Sequence, residues 1–158
     1  MHKKVIAAAA IVLVAGAVVG FASAGSAGKQ QRISIAIQPS SSRFVLEPLT
    51  SGPVLRDSGT DNACCWTRRF YTRDGQSIEI DNPTVVFTGK RGTFTWHERI
   101  TFINSDNDYT IGNGVWTIVK GTGAYAHLEG HGREALVLKN VEDRGLASQA
   151  QGLVELGR

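Results

Sequence analysis

The chain has little cysteine, and its two cysteines, Cys64 and Cys65, are adjacent. Neighbouring Cα atoms lie about 3.8 Å apart. This is shorter than the separation of about 4.4–6.8 Å that disulfides usually span. The pair therefore excludes a conventional disulfide scaffold. Three roles stay open for it: two small apolar side chains at a strand entrance, a strained vicinal disulfide, or an intermolecular bridge or metal contact.

Long apolar runs are absent except near the amino terminus. There Lys3 and Lys4 precede an uncharged segment over residues 5–21, and Ala22-Ser23-Ala24 supplies the pattern of a signal peptidase site. Gly25-Ser26-Ala27 offers a second cut. The alternative is an uncleaved anchor, because the segment approaches the roughly 17–25 residues that span a bilayer. The cleavage pattern favours a secreted, extracellular protein with no stable membrane anchor after cleavage.

These signals divide the chain into three parts. We predict a signal peptide over residues 1–24, with cleavage as late as residue 27, a flexible lead over 25–31 and one domain over 32–158. The chain has 17 basic and 14 acidic residues, but the leader holds two of the lysines and no acid. The remainder is nearly neutral, and no basic run is interleaved with aromatic residues. We therefore expect no nucleic-acid partner.

A sustained helical period of 3.6 residues is also missing outside the leader. Short alternating segments separated by glycine-, asparagine- and aspartate-rich turns predict seven to nine strands. Such a chain folds as an antiparallel barrel or sandwich. Within it we expect loop over 38–60 with a short extended piece at 44–46, strands over 65–73, 77–80 and 84–88, and a kink at Gly112-Asn113-Gly114.

The clearest strand covers Thr93 to Phe102. Its alternation places four large apolar side chains on one face, and Glu98 lies in the middle of that same face. A carboxylate on a core-facing position is costly unless it is paired, hydrogen-bonded or protonated. The segment around residue 68 shows the opposite charge in the same setting, because Arg68 shares a face with Trp66 and Phe70.

These two faces predict an ion pair between Glu98 and Arg68 across the interior. The pair either fixes strand register or reaches water at a barrel mouth, or it orients a ligand and supplies acid/base chemistry. Glu98 and Arg68 are thus the candidate catalytic residues. The candidate ligand-binding residues are Trp66, Arg68, Phe70, Phe94, Trp96, Glu98, Ile100 and Phe102.

His127, Glu129 and His131 alternate and so share one strand face, with His97 as a fourth contributor. Imidazole and carboxylate groups bind zinc or copper. Their spacing is not that of an established metal site, however, and their face lies opposite Leu128, which favours solvent exposure. We predict no metal site. We also predict no cofactor, since the chain lacks a phosphate loop, a dinucleotide fingerprint and a Gly-x-Ser-x-Gly elbow.

The segment Trp116-Thr117-Ile118-Val119-Lys120-Gly121-Thr122-Gly123-Ala124-Tyr125-Ala126-His127-Leu128-Glu129-Gly130-His131-Gly132 carries a glycine and aromatic signature. It resembles the late segment of dirigent proteins, allene oxide cyclases and related small bacterial barrels. The detailed similarity covers about the last third of the domain. The resemblance implies an eight-stranded, closed antiparallel β-barrel with an apolar cavity, often oligomeric. It places none of the family's catalytic residues on this sequence.

The sequence therefore predicts an all-β, single-domain protein built as one closed β-barrel. We expect the interior to bind a small apolar or aromatic molecule. One alternative is a cofactor-free cyclase or isomerase that uses Glu98 and Arg68. The other is a protein-interaction module or inhibitor with a packed interior. The resemblance adds a homo-oligomer to the expected partners.

Overall fold

The computed structural model describes residues 29–104, 109–139 and 144–157. The predicted leader and its two cleavage sites lie outside these ranges. The described residues form eight antiparallel strands and two short 3-10 turns, which confirms the all-β, antiparallel prediction. The strands are β1 (Gln31–Gln38), β2 (Arg43–Pro48), β3 (Asp57–Arg73), β4 (Gln76–Gly89), β5 (Thr93–Asn104), β6 (Tyr109–Gly121), β7 (Leu128–Lys139) and β8 (Arg144–Leu156).

The strands form one ring-like sheet. Each strand pairs with the next along the chain, and β1 also pairs with β8. Ile35 on β1 shows both contacts, because its register partners are Leu46 on β2 and Ala150 on β8. Side chains that point inward along each strand therefore meet at the centre of the ring. None of the helices in the described ranges has the length and apolar character needed to cross a bilayer.

One end of the interior is filled by aromatic side chains. Phe87 and Phe94 stack with ring centroids 4.6 Å apart, and Trp96 stacks on Trp116 at 4.9 Å. Aromatic contacts of this kind contribute about 0.5–1.5 kcal/mol beyond the burial of their area. We call this group the aromatic cluster; its members are Phe44, Phe87, Phe94, Trp96, Trp116 and Tyr125.

A buried hydrogen-bond network closes the aromatic end. The Tyr125 hydroxyl donates to Asp57 Oδ2 at 2.8 Å. Asp57 also accepts backbone N–H groups from Ser58, Lys90 and Arg91. Burial raises the pKa of Asp57, but these four hydrogen bonds together outweigh burial and leave the pKa below its usual value. The network joins the start of β3, the β4–β5 turn and the 3-10 turn Gly123–Tyr125.

The middle of the chain contains more strand than predicted. The extended piece expected at 44–46 is confirmed as part of β2, but the rest of the expected loop over 38–60 also holds the start of β3. β4 continues through Pro83, where two separate strands were expected. Proline lacks the N–H that the ladder needs. The β4–β5 register has no pairs for residues 82 and 83, so the missing donor falls at a gap in that ladder. The two predicted strands, 77–80 and 84–88, are therefore the two paired parts of one longer strand.

The expected kink in β6 is absent. Gly112 and Gly114 keep regular pairing with β5 and β7, and the register shift lies instead between Thr95 and Trp96 on β5. A Cβ at Gly112 would lie 2.6 Å from the ring of Phe102. These glycines therefore make room for side chains from β5, and do not serve to bend the strand.

Candidate functional site: an acidic interior cavity

The other half of the ring is hollow. A cavity of about 810 Å³ lies between the aromatic cluster and the outer part of the β3–β4 hairpin. Pockets that hold small molecules commonly measure about 300–1,000 Å³. The lining residues come from every strand except β2 and from the 3-10 turn that follows β1. They include Ile37, Ala63, Trp66, Arg68, Val85, Trp96, Ile100, Phe102, Leu136 and Leu138, together with the acidic residues Asp61, Glu79, Asp81, Glu98 and Glu134.

Trp96 forms the boundary between the filled and hollow halves. It is completely buried, belongs to the aromatic cluster and also lines the cavity. Ile100 and Phe102 continue the same wall of β5. The predicted inward face of this strand is therefore confirmed, including the inward position of Glu98, which is only 7% exposed.

Glu98 meets a second carboxyl group across the intervening strand. Glu134 on β7 is also 7% exposed, and the two side chains are within hydrogen-bonding reach of each other. Gly114 on β6 pairs with Glu134, and a Cβ placed on it would lie 3.4 Å from Glu98 Oε1. The absence of a side chain at this position lets carboxyls from β5 and β7 meet over β6. We call Glu98 and Glu134 the carboxyl pair.

The carboxyl pair favours a protonated Glu98. Burial raises the pKa of Glu98 to about 10, and the hydrogen bond and negative charge of Glu134 act in the same direction. The nearby indole of Trp96 lowers the Glu98 pKa by a smaller amount. Glu134 in turn accepts a hydrogen bond from the Ser148 hydroxyl. A protonated Glu98 can thus donate a hydrogen bond to the Glu134 carboxyl group.

Several buried polar atoms around the cavity have no hydrogen-bonding partner among the described residues outside the carboxyl pair itself. They are Asp61 Oδ1, Trp96 Nε1, Glu98 Oε1 and Glu134 Oε2. All four residues line the cavity. The Trp96 N–H is close enough to affect the Glu98 carboxyl but lacks hydrogen-bond geometry toward it. Burial raises the pKa of Asp61, and the charge of Glu134 adds to this effect. Unsatisfied buried groups of this kind are uncommon in folded proteins.

Arg68 pairs with acids on the adjacent strand. Its guanidinium makes two hydrogen bonds to Asp81, at 3.0 and 2.9 Å, and an ion pair with Glu79 at 2.6 Å. Asp81 is only 1% exposed. The structure therefore differs from the predicted Glu98–Arg68 pair: Arg68 is held by β4, and Glu98 is matched with Glu134. Both predicted residues nonetheless line the same cavity.

Six of the eight predicted ligand-binding residues line the cavity: Trp66, Arg68, Trp96, Glu98, Ile100 and Phe102. The other two do not. Phe94 is completely buried in the aromatic cluster. Phe70 is 65% exposed. It lies on the outer part of β3, which extends beyond the end of β2 and so has no paired strand along that edge in the described ranges. Alternation correctly grouped Phe70 with Trp66, but it does not show how far a sheet extends.

Four cavity-lining acids were not among the predicted site residues: Asp61, Glu79, Asp81 and Glu134. A signal for Glu134 existed, because it alternates with Leu136 and Leu138 and so is an acid on an inward face, as Glu98 is. Asp81 was hidden because Asp-Asn-Pro resembles a turn. Asp61 lies between the predicted loop over 38–60 and the predicted strand over 65–73, so no strand face was assigned to it.

The histidine-rich segment lies away from the cavity. His127, Glu129, His131 and His97 are all exposed on the outside of the ring. In the ranges that the structure describes, no three histidine, cysteine or acidic residues are placed to hold a metal ion. The weak metal candidate of the sequence analysis is therefore not assembled.

The two cysteines lie beside the mouth of the cavity. Their sulfur atoms are 2.7 Å apart and unbonded. Cys65 has a φ of 60°, and the β3–β4 ladder shifts register between Cys64 and Thr67. A β-bulge thus accommodates the pair. The hydrogen bond from Cys65 raises the pKa of the Cys64 thiol, with smaller contributions from burial and charge.

Comparisons with protein-family models, with curated proteins and with solved structures found no match to this chain. The resemblance to dirigent proteins and allene oxide cyclases therefore stays a prediction based on the glycine and aromatic segment.

Proposed function

We propose that this chain is a secreted binding protein whose interior cavity holds a small molecule with an apolar or aromatic body. In this proposal the ring-like sheet is a closed eight-stranded barrel of the dirigent and allene oxide cyclase-like architecture. The observation that carries the proposal is the division of the interior into a filled aromatic end and a hollow half of about 810 Å³. A packed interaction module has no need of such a space.

The lining supports an apolar or aromatic ligand body. Trp96, Ile100 and Phe102 form one continuous wall on β5, and Leu136 and Leu138 come from β7. Burial of the ligand's apolar surface against this wall would contribute about 25 cal/mol of binding free energy per Å² buried. Trp66 lies at the exposed side of the cavity, where an aromatic ligand would meet it first.

The test is native mass spectrometry of protein isolated from its own producer. We expect a co-purifying mass of a few hundred daltons, as suits a cavity of this size, and its loss on denaturation. The Leu136→Trp variant fills the cavity and should lose this mass. Ala135→Trp is the matched control, because Ala135 is the adjacent, outward-facing position. A wild-type protein without any bound molecule, or equal occupancy in both variants, would overturn the proposal.

The carboxyl pair favours a second candidate function, a cofactor-free isomerase or cyclase. Glu98, whose pKa is raised by burial, and the adjacent carboxyl group of Glu134 would act as the acid and the base of a proton transfer within one cavity. The chemical structure of the bound molecule, determined before and after incubation with the protein, distinguishes binding alone from catalysis. If wild-type protein and the Glu98→Gln variant leave the isolated ligand equally unchanged, catalysis is excluded for that ligand.

A further inference from the structure

Carboxyl groups outnumber cationic groups in the lining of the cavity. Five carboxyl side chains line it, and Arg68 is the single cationic side chain among the described lining residues. Arg68 already contacts two of these acids, Glu79 and Asp81. The remaining three, Asp61, Glu98 and Glu134, have no described cationic partner. The carboxyl groups without a described cationic partner therefore lie on β3, β5 and β7.

These three acids are deficient in hydrogen-bond donors. A proton shared within the carboxyl pair supplies one hydrogen bond, and Ser148 supplies another to Glu134. Asp61 Oδ1 receives no donor from the described residues. An ionised carboxylate has about four acceptor positions, and leaving them unfilled inside a protein is costly. Glu98 and Glu134 are more than nine-tenths buried, so bulk water has little access to donate hydrogen bonds to them.

We infer that the small molecule held in this cavity carries an organic cation, an ammonium or amidinium group, which lies between Asp61 and the carboxyl pair while its apolar or aromatic body contacts Trp96 and Phe102. This inference rests on the proposed binding function and specifies its ligand class. An ammonium or amidinium N–H group donates to several carboxylate oxygens at once and compensates their charge. A bare metal ion suits the site less well, because no described group of three ligands is placed to coordinate one.

The inference is tested with three probes of one shape and different charge: naphthylmethylamine, naphthylmethanol and naphthoate. Isothermal titration at neutral pH gives their dissociation constants for the full protein. We expect the amine to bind at least about tenfold more tightly than the alcohol, and the carboxylate to bind most weakly, because its charge is repelled in a low-dielectric interior.

Variants locate the effect. In Glu134→Gln the preference for the amine should fall to about threefold or less, while the alcohol keeps its affinity, since only the charge contact is removed. Asp61→Asn should act in the same direction and serves as a second variant if Glu134→Gln folds poorly. Glu129→Gln is the matched control: Glu129 is exposed on β7, outside the cavity, and its loss should leave the preference unchanged.

The outcomes separate this inference from the proposed function. If the alcohol binds as tightly as the amine, and Leu136→Trp abolishes both, the cavity binds small molecules but the ligand is not cationic. If the amine preference persists in both Glu134→Gln and Asp61→Asn, binding occurs elsewhere and the inference fails. If none of the three probes binds, the cavity is not a binding site for small molecules of this size, and both conclusions fail.

Discussion

Folding raises the pKa of the Glu98 carboxyl group and makes it a much weaker acid. Its unfolded-state pKa is near 4.5, and burial beside Glu134 raises it to about 10 in the folded protein. Between these values the folded protein holds a proton that the unfolded chain releases. The free energy of unfolding therefore decreases as pH rises through this range. The contribution of a protonated Glu98 is complete below pH 4.5 and is lost by about pH 10.

Glu98→Gln should remove this pH dependence, because glutamine keeps the shape and the donor of the protonated acid without a titrating group. We expect the variant to gain stability relative to wild type as pH rises from 5 to 9, by on the order of 1 kcal/mol per pH unit over part of the range. Urea unfolding at several pH values measures this difference.

Glu129→Gln is the control for this series, since Glu129 is exposed and on the same ring. Its stability should follow the wild-type profile. A Glu98→Gln profile parallel to wild type at every pH would show that Glu98 is ionised in the folded protein and would refute the assignment of the proton.

The inward position of Glu98 could be predicted from sequence, but its partner could not. Alternation along one strand fixes which side of the sheet a residue occupies. The contact with Glu134 depends on Gly114 lying between them on β6, and thus on the pairing of three strands. Arg68 was paired with Glu98 on opposite charge alone. No residue pattern showed that β4 extends far enough to bring Asp81 and Glu79 beside Arg68.

At the scale of the strands, a tryptophan takes the space of two absent side chains. Gly132 on β7 and Gly152 on β8 are register partners, and a Cβ on either would lie 2.4 Å from Trp116 Cζ2. The absence of a side chain at these two positions lets the Trp116 indole lie close to the backbones of both strands while it stacks on Trp96.

Gly152→Ala should therefore destabilise the protein by about 1–3 kcal/mol, because the added methyl group overlaps the indole and the carbonyl of His131. Thermal unfolding measures the change. Gln151→Ala, one position earlier and outward-facing, should remain within about 0.5 kcal/mol of wild type. Equal effects of the two substitutions would show that Trp116 does not depend on the absent side chain.

Strand prediction succeeded where apolar and polar residues alternate regularly, as on β5. It failed where a strand contains residues that favour turns, as at the start of β3. β2 contains Pro48, and the start of β3 contains Ser58 and Gly59, which are residues that favour turns. Their strand structure comes from pairing: β2 lies between β1 and β3, and the start of β3 also pairs with the end of β4, which is distant in sequence. Local propensity therefore underestimates the central part of this sheet, because tertiary pairing outweighs it.

At the scale of the whole molecule, the ring is unevenly supported. β2 pairs with β3 only over residues 57–60, whereas β3 continues to Arg73 and pairs with β4 along most of that length. In the described ranges, one edge of β3 beyond residue 61 thus has no strand beside it. The cavity lies behind this edge, since Asp61, Ala63, Trp66 and Arg68 all line it.

Hydrogen exchange should reveal this asymmetry. We expect amides of residues 65–73 to exchange on the order of 100-fold faster than those of residues 93–104, which pair on both sides within β5. Mass spectrometry of peptic fragments measures both segments in one experiment. Equal protection would mean that the outer part of β3 has a partner in solution, such as a second copy of the chain.

The adjacent thiols give this molecule a natural attachment point for a reporter. Cys65 is exposed, and its neighbours Ala63 and Trp66 belong to the cavity wall. With Cys64 replaced by serine, a single environment-sensitive fluorophore on Cys65 would stand at the rim of the cavity. Since the sequence contains no other cysteine, the dye would attach at this one position. Its fluorescence would then report ligand binding in the cavity, which makes the protein suited for conversion into an optical sensor of its ligand.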